Sequence, residues 1–298
     1  MNRLAFLLLL AAGVFWGMGF PLGKVALGET DAAHMVLWRF VFASVIALPF
    51  ALRRPEARAL FRSPVVIACG VIYALAFEVQ NEGLARSSVS LAALLVGAMP
   101  ALIAVAARVL GEPVSRLSWA GVAAATAGAA LIAGRPQGAA TPMGVALSVV
   151  ALFLFITWLM ILRRAPKPPD AMAMPAVTVV ISAATLVPLS FLLHGPPRLD
   201  LSPTVWTAMV AQGIFCTFLA TAAWQFGAPR VGHARAGVFV NIEPLMGAII
   251  GVTLFGDRLT WGLGVGGLCI IAGSLIVVLG EADGGAAPDL EEVAATPS

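Results

Sequence analysis

Charge is what this chain has least of. Asp, Glu, Lys and Arg together make up 11% of its 298 residues, against roughly 25% in an ordinary soluble domain. With 60% hydrophobic residues and a mean hydropathy of +0.96, a water-soluble globule is excluded. Chemistry-bearing side chains are equally sparse. The three histidines, His34, His194 and His233, fall near the ends of apolar runs, and there is no paired-Asp motif, no His-Glu metal spacing and no Ser/His/Asp arrangement. A membrane-embedded enzyme is therefore not expected, and neither is a metal or other cofactor. Cys69, Cys216 and Cys269 lie in separate apolar runs without ligand spacing and read as packing residues. A Gly-rich phosphate loop is missing, which removes ATP drive. The net charge of only +3 gives nucleic acid nothing to hold. No loop is long enough for an appended soluble domain, which disfavours a sensory subunit.

What is present is a succession of apolar runs, each of the roughly 17 to 25 residues that cross hydrocarbon as a helix. Breaks at charged or Pro/Gly-rich points predict ten spans: 5–27, 32–52, 64–84, 88–110, 117–134, 142–162, 171–193, 203–228, 232–256 and 261–280. Strands are excluded because the fourth run is continuously apolar, whereas a barrel strand of about ten residues alternates. Residues 1–14 resemble a signal peptide, but the apolar run continues through Trp16 and Phe20 without a small-residue cleavage site. They read as the start of an uncleaved first span.

Placing the loops alternately on two sides puts Arg3, Arg53, Arg54, Arg58, Arg62, Arg108, Arg116, Arg163, Arg164, Lys167, Arg230 and Arg235 on one side, twelve of the eighteen basic residues. Arg86, Arg135, Arg198 and Arg258 fall opposite, and Lys24 and Arg39 lie inside spans. The bias predicts that both termini are cytoplasmic in a bacterial-type inner membrane. Residues 281–298, rich in Ala, Gly, Pro, Asp and Glu, read as a disordered tail.

The chain also repeats itself. A shift of 144 residues brings Gly83 onto Gly227, Arg86 onto Arg230, Ala92 onto Ala236 and Pro100 onto Pro244. One insertion later, a shift of 145 aligns Gly111-Glu112 with Gly256-Asp257, Ser115 with Thr260, Gly121 with Gly266 and Gly128 with Gly273. The halves are placed at 1–137 and 138–280. Five spans per half is an odd number, so the second half enters the membrane in the opposite sense. Such inverted repeats point to an alternating-access carrier with a central cavity between the halves.

On these residues the chain resembles the drug/metabolite transporter superfamily, specifically its ten-span EamA-type members. The resemblance runs from Trp16-Gly17, Phe20-Pro21 and Lys24 through Arg39 to Ser88, Ala92, Pro100, Gly111-Glu112 and Ser115, and again through Ala236, Pro244, Gly256-Asp257 and Thr260. It covers the chain up to the tail and departs from the family pattern in having Asp257 where Glu is usual. It implies a small-metabolite carrier, most similar to bacterial exporters of amino acids, aromatic ones included. Drugs or another metabolite class are the alternative cargo.

Candidate path residues follow from the cost of polar groups in hydrocarbon. Lys24 and Arg39 either meet a substrate carboxylate or snorkel to an interface. Glu78, Asn81 and Glu82 share one face of the third span. Of these, Glu78 is the deeper acid, suited to an ammonium group or a proton. Glu243 sits between Asn241 and Pro244 at midspan. Pro21 among its glycines, and Met99-Pro100 with its repeat mate Pro244, mark bends that line the path, act as hinges or simply kink. Trp16, Tyr73, Phe77, Gln80, Trp158, Gln212, Trp224 and Gln225 supply apolar walls and neutral hydrogen bonds, with an interfacial role the alternative for the tryptophans. Gly121, Ala124, Ala125 and Gly128 in the fifth span, with Gly262, Gly266 and Gly273 in the tenth, permit close helix contact within one chain or between two copies. Partners are thus a small-molecule substrate and lipid, and a homo-oligomer stays open.

Overall fold

The computed structural model describes residues 3–133, 140–166, 168, 170–231 and 233–283. Arg135, Lys167, the 137/138 boundary and residues 284–298 of the expected tail lie outside them. Hydrocarbon offers backbone groups no partners, so apolar runs become helices that satisfy themselves. The helices are α1 (Arg3–Ala26), α2 (Ala32–Leu52), α3 (Pro55–Leu60), α4 (Pro64–Ala85), α5 (Val89–Val96), α6 (Met99–Val109), α7 (Arg116–Ala133), α8 (Pro142–Leu162), α9 (Ala173–His194), α10 (Pro203–Ala211), α11 (Ala220–Val231), α12 (His233–Val240), α13 (Ile242–Leu254) and α14 (Trp261–Asp283). A π-helical segment, Gln212–Leu219, joins α10 to α11.

Among the described residues nine spans are long and apolar enough to cross a membrane, and a tenth apolar helix, Arg116–Ile132, is shorter. Polar residues at the boundaries start them: Asp31, Ser88, Thr141 and Ser202 each accept a hydrogen bond from the backbone N–H three residues on. Three expected spans are not single α-helices. The fourth breaks at Gly97-Ala98 into α5 and α6, the ninth breaks at Asn241 into α12 and α13, and the eighth carries the π segment. Both proline breaks fall three residues ahead of the proline, because the prolyl nitrogen cannot donate to the carbonyl one turn earlier. The bend expected at Pro21 does not break α1, which is continuous. The last helix runs to Asp283, past the expected end at 280.

The packing repeats with the register. α2 lies on α9 and α7 on α14, each a helix against its own repeat mate, while α4 on α8 is matched by α11 on α1. Two five-helix halves are therefore related by an approximate two-fold. The α7–α14 contact is backbone to backbone within this one chain: a Cβ on Gly121 would stand 2.5 Å from Gly273 O, and one on Gly266 would stand 2.8 Å from Gly128 O.

Cross-links sort the loops onto two ends. At one, Arg53 pairs with Asp170, and Arg163 Nη1 lies 2.8 Å from Glu112 Oε1. At the other, the Ser202 N–H donates to Glu29 at 2.8 Å, and His34 holds Asp31 at 2.6 Å with its Nε2 3.0 Å from Gly195 O. These are called the Arg-rich and Arg-poor ends.

Candidate functional site

The two broken spans meet at their breaks. A Cβ on Gly97 would lie 3.2 Å from Pro244 Cγ, so the α5/α6 and α12/α13 junctions abut. Beside this crossing stands Arg39, midway along α2 and only 5% exposed. Its Nε donates to Thr217 Oγ1 at 2.7 Å, and its guanidinium carbon sits 4.4 Å from the centre of the Phe77 ring. The π segment explains the fit. Thr217 Oγ1 donates in turn to Gln212 O at 3.1 Å, a five-residue span that only the wider turn provides. A Cβ on Gly213 would fall 2.5 Å from Arg39 O, so a glycine there lets α2 and the π segment touch at Arg39 itself.

Gln212 Nε2 donates to Gly19 O at 2.7 Å. A Cβ on Gly23 would be 2.9 Å from Gln212 Nε2 and 3.4 Å from Asn81 Oδ1, so α1, α4 and the π segment converge there. The wall is aromatic: Tyr73 lies 4.6 Å from Trp158 and 4.8 Å from Phe77, Phe77 lies 5.1 Å from Phe155, and Phe40 lies 5.2 Å from Phe77, all between ring centres. Glu243 is half-buried and within electrostatic range of Arg39, without an ion pair shorter than 4.0 Å between them.

Several buried polar atoms here have no partner among the described residues: Gln212 Oε1, Asn241 Oδ1 and Trp158 Nε1, and, further along α4 within electrostatic range of Asp31 at the Arg-poor end, both carboxylate oxygens of Glu78. An unmet buried polar group costs about 1–3 kcal/mol, and such groups concentrate where a polar solute or water is received.

The expected residues divide accordingly. Arg39, Tyr73, Phe77, Trp158, Gln212 and Asn81 come together, with Glu243 and Pro244 at the adjoining crossing. Met99 and Pro100 are half-buried at the start of α6, and Gln80 is buried on α4. Trp16 and Trp224 pair with each other at 5.5 Å where α1 meets α11, and Gln225 stands half-buried beside Trp224 in sequence. Lys24 does not meet the cluster and instead reaches toward the Arg-poor end. Its Nζ donates to Leu84 O at 2.9 Å and Ser87 O at 2.7 Å, closing the end of α4. Three contributors were not expected: Thr217, Phe40 and Phe155. Thr217 carried a signal only in hindsight, as a hydroxyl five residues after Gln212.

Nine apolar spans and a shorter tenth apolar helix among the described residues, in two inverted halves with unmet polar groups where they cross, fit a multi-pass membrane transporter. The EamA-like transporter family matches residues 3–134 and 142–279, and the chain belongs to it. It is 28% identical over 275 residues to a "probable terminal-alkyne amino-acid exporter" of Streptantibioticus cattleyicolor, covering 89% of this chain and 90% of that one. It is 23% identical to a transporter of Archaeoglobus fulgidus over 92% and 96% of the two chains. With the inner membrane transporter YedA of Escherichia coli it shares 22% identity over 92% and 90%. A solved crystal structure, 19% identical, superposes with a TM-score of 0.64 over 94% of this chain and 98% of that one, which speaks to fold alone.

Proposed function

We propose that this transporter exports amino acids by alternating access, with the Arg-rich end and both termini in the cytoplasm. The observation that carries the reading is the charge arrangement beside the crossing. Arg39, fixed by Thr217 and Phe77, offers a buried guanidinium to a carboxylate, and Glu243 offers an acid to an ammonium, with the unpartnered Glu78 a second acid on the Arg-poor side. The aromatic wall of Tyr73, Phe77, Phe155 and Trp158 suits a large apolar side chain. The relative named as an amino-acid exporter agrees with this cargo, and the twelve-to-four distribution of basic residues supports the orientation. The two halves, 1–137 and 138–280, would move against each other about the Gly97–Pro244 contact.

Counterflow of labelled amino acids in proteoliposomes tests the reading. Exchange of aromatic and large aliphatic amino acids, lost in Arg39→Ala and reduced in Glu78→Gln and Glu243→Gln, is the expected result. Failure of every amino acid, with exchange of a drug or another metabolite instead, would reassign the cargo. Repeating the assay under an imposed pH gradient separates proton coupling through Glu78 or Glu243 from uniport, since a uniporter exchanges at a rate indifferent to the gradient.

A further inference from the structure

The Gly-acid turns after α6 and α13 are built alike. Gly111 and Gly256 take left-handed φ of 87° and 68°, which glycine adopts without penalty. The acids that follow close the same loop, Glu112 N–H donating to Ala107 O and Asp257 N–H to Gly251 O, each at 3.0 Å. Residues 107 and 251 are repeat mates. The acid side chains nevertheless do different things. At the Arg-poor end Asp257 Oδ2 accepts from the Ser90 N–H at 2.8 Å, in the first turn of α5. Ser90 Oγ donates to Ala248 O at 3.1 Å, and α5 is seated on α13 along its buried residues 89–95. Lys24, within electrostatic range of Asp257, spends its ammonium on the carbonyls that end α4. Acid and base thus hold opposite sides of the α4–α5 turn. At the Arg-rich end the base stands at the end of α8, which opens the second half as α1 opens the first: Arg163 is bound directly to Glu112, Nη1 at 2.8 Å from Oε1 and Nη2 at 3.1 Å from Oε2. There α6 and α12, the mates of α13 and α5, do not pack as a helix pair among the described residues, and α6 ends on exposed Arg108, Val109 and Leu110.

We propose that Glu112 and Asp257 are gate residues that exchange partners in antiphase. At an open end the acid and its base hold each other. As that end closes they part, the acid taking the N-terminal N–H groups of the arriving half-helix and the base taking the carbonyls of the helix before it. By this rule Glu112 leaves Arg163 for the start of α12 when the Arg-rich end shuts, and Asp257 releases α5 for Lys24 when the Arg-poor end opens. The acid is required because a helix start carries unpaired N–H groups and partial positive charge. At an open end water takes the helix N–H and carbonyl groups that the acid and base release, so neither arrangement leaves them unmet.

Magnitudes decide the sign of the test. A partly exposed ion pair is worth at most about fivefold in an equilibrium, and a charged helix cap up to about thirtyfold. Removing an acid therefore harms the closed form of its own end more than the open form. The inference rests on the alternating-access reading, but the readout needs no substrate, so it can fail while amino-acid transport stands. In full-length protein with Cys69, Cys216 and Cys269 replaced by Ala, Val89→Cys reports the Arg-poor end and Ile103→Cys the Arg-rich end. Labelling with a membrane-impermeant maleimide is followed in right-side-out and inverted vesicles. Asp257→Ala is expected to speed labelling at Val89→Cys by about threefold and slow it at Ile103→Cys. Glu112→Ala is expected to do the reverse, and the double variant to return toward the parent. Asp257→Glu and Glu112→Asp, which keep the acceptor, are expected to label like the parent. Shifts of the same sign from both alanine variants, no shift from either, or acid-retaining variants that depart as far as the alanine variants would each overturn the proposal.

Discussion

The crossed spans present one contact twice, and the two ends use it differently. At the Arg-poor end α5 is buried along its length against α13, with Gly247 and Gly251 facing Ala93 and Ser90 so closely that a Cβ on Gly251 would lie 2.7 Å from Ser90 N. At the Arg-rich end the mates of those glycines are Ile103 and Ala107, and α6 and α12 do not pack as a helix pair among the described residues. Sequence symmetry therefore does not produce structural symmetry in any one state. A pair of half-helices can close at one end only if the other end has somewhere else to put its charges, and Arg163 on Glu112 is that alternative.

The largest effect expected falls between the ends. Arg39→Ala should reduce counterflow by roughly a hundredfold, because it strips a buried, hydrogen-bonded charge from the place where both halves meet. The labelling difference between Val89→Cys and Ile103→Cys should survive it. Collapse of that difference would show that Arg39 holds the gates rather than the cargo. Next in size is Gly247→Val, whose side chain would be driven into Ala93. It should cost about 1–3 kcal/mol in thermal unfolding and expose Val89→Cys, while Ile103→Val at the open end should change stability by less than about 0.5 kcal/mol. Equal costs at the two positions would erase the contrast between the ends.

A smaller and opposite effect is expected from Glu78→Gln. Removing an unpartnered buried carboxylate should stabilise the protein by about 1 kcal/mol while slowing exchange, and thermal unfolding beside counterflow reads both. The smallest concerns the Arg-poor end alone. Burial by itself would raise the Asp31 carboxyl, but hydrogen bonds from the His34 N–H and imidazole outweigh it and hold the group below its ordinary value. Its folded pKa is thus below its unfolded one. The stabilisation is complete above the usual Asp range near 4 and fades as pH falls through the lower folded value. Asp31→Asn should remove that acid-side loss, measured as a flatter profile of unfolding temperature against pH.

Much of the fold was legible because the bilayer enforces it: a run such as 142–162 must be a helix, and the matched Pro100 and Pro244 announced both the repeat and the places where spans break. The break itself sits at Gly97-Ala98 and Asn241, ahead of the prolines, since the lost donor is felt one turn earlier. The π segment was invisible, because Gly213 and Thr217 gain meaning only when α2 brings Arg39 against them. Polar residues inside spans were found by their cost, yet their roles were not. Lys24 and Arg39 look equivalent in the sequence, but Lys24 ends beside the open carbonyls of α4 and Arg39 beside an aromatic wall. Glu112 and Asp257 were conspicuous as markers of the register, and only the helix starts they reach or fail to reach reveal what they do.

The most direct measurement is a pair of distances in liposomes by pulsed electron resonance, one between spin labels on α5 and α13 near the Arg-poor end and one between labels on α6 and α12 near the Arg-rich end. The account predicts that a transported amino acid broadens both distributions in antiphase, the first lengthening as the second shortens. If both distances lengthen together, or neither moves while counterflow proceeds, the two ends do not exchange a single closure and the account is wrong.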